Sequence, residues 1–320
     1  MNAIENIRKP FQLSAGDTIG VIAPSSPQRD DERLRAGIGY LESLGYRVLE
    51  GKNLWKRYGY LAGTDEERID DLNRMILDPE VRMIVAGRGG YGATRILEQI
   101  DYEALRDDPK IILGFSDVTA INLAVLAQAH LISFSGTMPG VDMWSDEVDE
   151  FAIQGFLSAL TSTEPLGEIS SSEEEGIRPL HPGNAEGHLV PANLTLLASL
   201  CGTPYMPDMN GAILLIEEIG EEAYRVDRLL SQLWNGGILK HIVGLAFGAF
   251  TGTDPKRISV DPLPIEEVFE EYIRRADLPA ISGVPYGHIK GKLTLPVGVR
   301  ARIDGTNGKL ELLESGVVLK

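Results

Sequence analysis

Between residues 17 and 129, short apolar runs alternate with segments of helical spacing. A parallel sheet with helices on both faces satisfies this pattern, and few other folds do. The run Thr18-Ile19-Gly20-Val21-Ile22-Ala23 reads as a buried strand ending in the turn Pro24-Ser25-Ser26-Pro27. Residues 30–44 place Leu34, Ile38, Leu41 and Leu44 at helical spacing and stop at Gly45, a helix-ending glycine. Residues 46–50 read as a second strand. Residues 65–77 read as a second helix, opened by Thr64 as N-cap with Glu67 three residues on. A third strand over 81–86 leads into the loop Gly87-Arg88-Gly89-Gly90-Tyr91-Gly92, then a helix is expected over 93–100, and Ile111-Ile112-Leu113-Gly114 is the fourth strand. Ligands of such sheets meet the carboxyl ends of the strands. The glycine loop and the residues after Gly114 are therefore expected at one edge.

Gly114-Phe115-Ser116-Asp117-Val118-Thr119 is a strand, a sharp turn and the start of a helix, with a hydroxyl at the bend. Unpaired N–H groups at that helix start favour negative charge developing on a substrate. Hydrolases place nucleophiles at such corners. The usual signature, however, is Gly-x-Ser-x-Gly, and the second glycine is missing here. Taken alone, the serine is a helix cap. A nucleophile needs a base and an orienting acid elsewhere in the chain.

At 320 residues the length suggests about two domains. The helical and strand pattern dissolves over residues 164–187, rich in Ser, Glu, Gly and Pro, which read as an exposed linker. The expected division is an N-terminal α/β domain over 1–163 and a second domain over 188–320. In the second half, Gly211-Ala212-Ile213-Leu214-Leu215-Ile216-Glu217-Glu218 is a strand running into carboxylates. Residues 224–234 and 265–276 are helices, 242–250 a strand, and 299–313 a hairpin.

The formal charge of −17 argues against a nucleic acid or an anionic membrane as partner. The single cysteine, Cys201, excludes an internal disulfide, makes a cysteine metal site implausible and reads as a small buried residue. No run is long and apolar enough to span a bilayer, and the first residues lack the apolar core of a signal peptide. The cytoplasm is the expected compartment. The glycine loop lacks both the dinucleotide spacing and the Walker lysine. Its four glycines in six residues could bring backbone N–H groups to a reacting carbonyl, or could simply make a tight turn. Of five histidines, His130, His181, His188 and His241 read as structural. His288 lies in a loop bounded by Gly283, Gly287 and Gly291 and suits a general base. Alternation turns one of Glu217 and Glu218 inward, without saying which.

These residues, in this order, resemble the LD-carboxypeptidase family of serine peptidases, which spans muramoyl-tetrapeptide carboxypeptidases and microcin C self-immunity proteins. The match rests on Ala23-Pro24-Ser25-Ser26-Pro27, Arg88-Gly89-Gly90-Tyr91-Gly92, Gly114-Phe115-Ser116-Asp117-Val118-Thr119, Glu217-Glu218 with Tyr224-Arg225-Val226-Asp227-Arg228, and Gly287-His288 with Leu295-Pro296-Val297-Gly298. Pro191-Ala192-Asn193-Leu194 departs from the family's Gly-Gly-Asn-Leu, and Phe115 stands where tyrosine is frequent. The resemblance implies a flavodoxin-like N-terminal domain, a second β-containing α/β domain and a site in the cleft between them. It implies a Ser-His-Glu triad on Ser116, His288 and Glu217, no cofactor or metal, and a homodimer. The implied activity is a serine carboxypeptidase releasing terminal D-alanine from a murein tetrapeptide during cell-wall recycling. In that reading the amides of Asp117, Gly89 and Gly90 cradle the oxyanion, and Arg88 is the candidate for the substrate carboxylate. The nearest alternative keeps the chemistry and cleaves a peptidyl or aminoacyl nucleotide, with Trp144 as a conceivable base contact. A non-catalytic ligand-binding module and a nucleotide-dependent transferase are the other classes.

Overall fold

The computed structural model describes residues 7–145, 148–171, 176–253 and 263–320. The first five strands are β1 (Thr18–Ile22), β2 (Arg47–Glu50), β3 (Val81–Ala86), β4 (Ile111–Gly114) and β5 (Ser133–Ser135). All their pairings are parallel, in the order β2-β1-β3-β4-β5. That is the flavodoxin-like order, with its switch point between β1 and β3. β1 and β4 are buried throughout because helices cover both faces, whereas β2, at the edge, tolerates Arg47 and Glu50. The helix Asp65–Leu77 opens with the expected capping box, Thr64 and Glu67 each bonding the other's backbone, an arrangement worth about 1 kcal/mol. The helix expected over 93–100 is instead two short 3-10 turns, Ala93–Arg95 and Leu97–Gln99. This tighter winding buries Ala93, Ile96 and Leu97 together.

The later strands are β6 (Gly167–Glu168), β7 (Arg178–His181), β8 (Asn184–Asn193), β9 (Ala212–Ile219), β10 (Gly244–Thr251), β11 (Ala280–Ser282), β12 (Leu295–Val297), β13 (Arg300–Asp304) and β14 (Lys309–Leu312). Eight of them form a second sheet, β6-β14-β13-β8-β9-β10-β11-β7, parallel from β8 to β11 and antiparallel at both flanks. β12 leaves this sheet and pairs antiparallel with β5, so the second half of the chain completes the first sheet. The stretch 164–187, expected as a linker, contributes β6, β7 and the start of β8. β6 and β7 lie at the sheet edges and are held by backbone bonds, so their polar composition carries no strand pattern.

The helix Thr119–Ala129 is buried on nearly every side. It packs on the first sheet and against the helix Leu194–Ser199 of the second domain, which explains an apolar composition without a polar face. The Asn193 amide donates to Thr119 Oγ1 at 3.3 Å across the same junction. Among the described residues no helix is long and apolar enough to cross a membrane.

Candidate active site

β4 ends at Gly114, and two residues later Ser116 sits at φ +63, a left-handed conformation that non-glycine residues rarely adopt. The 3-10 turn Ser116–Val118 then feeds the helix Thr119–Ala129. Such a corner stores about 1–2 kcal/mol of strain and lifts the side chain off the sheet edge. The missing second glycine has a steric explanation. A Cβ on Gly114 would stand 2.3 Å from Val118 Cγ1. Val118 therefore fills the room that Gly114 leaves, and one glycine suffices. The strain makes a prediction. Ser116→Gly is expected to raise unfolding stability by about 1 kcal/mol while removing the hydroxyl, read by urea denaturation. A loss of stability would show that the corner is unstrained.

His288 follows β11 in a loop, and Glu217 lies near the end of β9. His288 Nδ1 is 2.8 Å from Glu217 Oε2, and His288 Nε2 is 3.1 Å from Ser116 Oγ. A carboxylate only accepts, so Nδ1 carries the proton in the neutral ring and Nε2 is left to accept from the hydroxyl. The ring packs on Phe115, centroids 4.8 Å apart. Phe115 also meets Tyr286 edge-on, and the Tyr286 hydroxyl bonds Ser135 Oγ at 2.8 Å. Burial and the Glu217 charge push the Tyr286 phenol well above its ordinary pKa, so it stays neutral.

Alternation was expected to expose one of Glu217 and Glu218, but both are buried, because β9 is covered on both faces. Glu217 faces His288. Glu218 accepts from the Thr195 amide at 2.8 Å and the Ile219 amide at 2.9 Å, and burial raises its carboxyl pKa. Asn193 joins the two. Its Nδ2 donates to Glu217 Oε1 at 3.0 Å and Glu218 Oε1 at 3.2 Å, while its Oδ1 caps the helix Leu194–Ser199. In the sequence Asn193 stands out only as the matching asparagine beside Pro191 and Ala192, which depart from the family's Gly-Gly-Asn-Leu. Its position before a helix start was the available signal.

The cleft around Ser116 has a volume of about 450 Å³ and includes Arg88, Gly89, Gly90, Trp144, His288, Lys290 and Lys292 on its walls. Gly89 runs beside the nucleophile corner. A Cβ there would stand 2.9 Å from Ser116 Cβ and 3.3 Å from the Asp117 amide nitrogen. Half-buried Arg88 donates to the Pro27 carbonyl at 3.2 Å, and burial together with Arg29 pulls its pKa below the usual guanidinium value. Lys292 is buried and paired with Asp142. Trp144 has Arg33 over its ring at 4.0 Å, whereas Trp55 and Trp234 lie outside the cleft walls. Cys201 is half-buried, with a thiol pKa raised by burial, which disfavours a thiolate. No group of three or more His, Cys, Asp or Glu side chains among the described residues could hold a metal ion.

Fold and site together define a serine-type hydrolase with its chemistry in a cleft between two α/β domains. The chain belongs to the LD-carboxypeptidase family, whose N-terminal domain matches residues 19–136 and whose C-terminal domain matches 186–303. A probable murein peptide carboxypeptidase of Bacillus subtilis is 39% identical over 97% of this chain and 95% of its own. A crystal structure of muramoyltetrapeptide carboxypeptidase from Oxalobacter formigenes is 35% identical, TM-score 0.79, over 92% of this chain and 97% of that one. The microcin C7 self-immunity protein MccF, known from Escherichia coli, matches as an apo structure at 26% identity and TM-score 0.87, over 97% of this chain and 100% of that one.

Two expectations are corrected by these relatives. An active-site mutant of MccF carries alanine in place of a serine, an asparagine and a lysine. That overturns the description of the enzyme by a Ser-His-Glu triad, since the named set there is serine, asparagine and lysine. The residues of those types at this site are Ser116, Ser145, Asn193, Lys290 and Lys292. The expected murein tetrapeptide partner is overturned as well. MccF is seen with adenosine monophosphate, aspartyl sulfamoyl adenosine and glutamyl sulfamoyl guanosine, all nucleotide-derived.

Proposed function

We propose that this hydrolase cleaves the amide bond joining an aminoacyl or peptidyl group to a nucleotide, with Ser116 as the attacking group. The observation that carries the reading is Trp144 on the wall of the cleft that holds Ser116, one ring face covered by Arg33 at 4.0 Å. The nucleotide-derived ligands of MccF support it, at 25–26% identity and TM-scores of 0.86–0.87. Ser116 Oγ attacks the acyl carbonyl, and its proton passes to the ring nitrogen in contact with it, His288 Nε2 at 3.1 Å. As the amide bond breaks that proton goes to the leaving nitrogen, and water then hydrolyses the acyl-serine. His288 Nδ1 meets Glu217 Oε2 at 2.8 Å, and Asn193, one of the residue types replaced in the MccF mutant, donates to Glu217 Oε1 at 3.0 Å. The amides of Asp117, Gly89 and Gly90 face the developing oxyanion, where each good donor is worth roughly 3 kcal/mol of activation free energy. Arg88, at the cleft wall, is the cation for an anionic group of the nucleotide conjugate.

The test offers aspartyl sulfamoyl adenosine and a murein tetrapeptide to the same preparation. Release of aspartate from the nucleotide conjugate is expected. Release of D-alanine from the tetrapeptide alone would sink the reading. Trp144→Ala should raise KM for the conjugate roughly ten- to hundredfold with kcat little changed, the range expected for one lost base-stacking contact. An unchanged KM would remove Trp144 from the binding site.

A further inference from the structure

Directly after the nucleophile lies a buried acid whose carboxylate has no part in the chemistry above. Asp117 is 2% exposed. Its Oδ2 accepts from Ser25 Oγ at 2.6 Å and from the Ala93 amide at 2.8 Å. Ser25 belongs to the turn after β1, and Ala93 closes the glycine loop after β3. The buried guanidinium of Arg68 grips the same two segments from the other polarity, donating to the carbonyls of Pro24 and Gly92 and pairing with Asp65.

We infer that the Asp117 carboxylate is a positioning residue: through Ser25 and Ala93 it fixes the glycine loop at the distance from Ser116 that oxyanion binding needs. The inference rests on the reading of Ser116 as nucleophile. Three segments that share no strand pairing beyond their own strands meet at this one oxygen, and two of them, the glycine loop and the nucleophile corner, line the cleft. The loop passes so close to the corner that a Cβ on Gly89 would stand 2.9 Å from Ser116 Cβ. Small shifts of the loop therefore change donor geometry directly, and transition-state hydrogen bonds are steep in distance. A buried carboxylate is costly where an apolar residue would pack as well. Burial raises its pKa even against the bonds it accepts.

The test follows labelling by a fluorophosphonate, in which Ser116 Oγ forms a bond to phosphorus, fluoride departs and the hydroxyl proton passes to His288. Its maximal rate reports transition-state stabilisation, and its half-saturation reports binding. For Asp117→Ala the maximal rate per folded molecule should fall ten- to hundredfold, with half-saturation within about threefold. Asp117→Asn, which keeps an acceptor oxygen, should recover most of the rate. Ser25→Ala should show a fall of several-fold and carries the test if Asp117→Ala does not fold. A wild type that takes no label overturns the nucleophile reading and the brace with it. A labelled wild type, with Asp117→Ala or Ser25→Ala labelled equally fast, overturns the brace alone. So does a loss confined to thermal stability.

Discussion

Ser116→Ala is expected to lower kcat by at least about 10³-fold while leaving the protein folded and KM within a few-fold. The hydroxyl at this corner is the one His288 Nε2 meets, at 3.1 Å. Its removal deletes the attacking atom and leaves the cleft walls intact. Alanine keeps the left-handed backbone at a cost similar to that of serine, because both carry a Cβ. Steady-state kinetics with circular dichroism of the same sample checks both halves of the expectation. Residual turnover above about one part in 10³ would assign the attack to another group.

The second large effect is steric. Gly114→Ala should destabilise the protein by about 1–3 kcal/mol and depress activity, as overpacking of a close-packed site does. The added Cβ would stand 2.3 Å from Val118 Cγ1 and 2.6 Å from Val118 Cβ. β4 cannot retreat, since its residues are buried between β3 and β5. The strain must therefore pass into the Ser116 corner. Adding Val118→Gly to Gly114→Ala opens the space from the other side. The double variant should be at least about 1 kcal/mol more stable than the two single changes summed, and urea denaturation of the four proteins measures this coupling. Strict additivity would refute the account of the missing second glycine.

What the sequence disclosed follows physical lines. The parallel sheet was legible because its strands, buried on both faces, read as apolar runs between capped helices, with Thr64 and Glu67 marking one start. β6 and β7 were not legible, because edge strands of polar composition are held by backbone alone. β12 is three residues long and crosses to the other sheet, a placement that no local pattern encodes. Ser116, Glu217 and His288 were legible as residue types at predicted strand ends, although alternation misjudged Glu217 and Glu218 on a strand covered on both sides. The Ser25–Asp117 bond spans 92 positions and the Asn193–Glu217 bond 24, so neither leaves a local signature. The substrate was the least legible feature. It depends on which side chains, Trp144 and Arg88 among them, line one cleft.

The central claim is that Ser116 attacks a nucleotide conjugate bound in this cleft. The most direct test is peptide mapping of the fluorophosphonate-labelled protein, with and without saturating aspartyl sulfamoyl adenosine. The account predicts one adduct, on Ser116, whose formation the conjugate slows at least tenfold. An adduct on another residue, or labelling of Ser116 that the conjugate leaves unchanged, would contradict it.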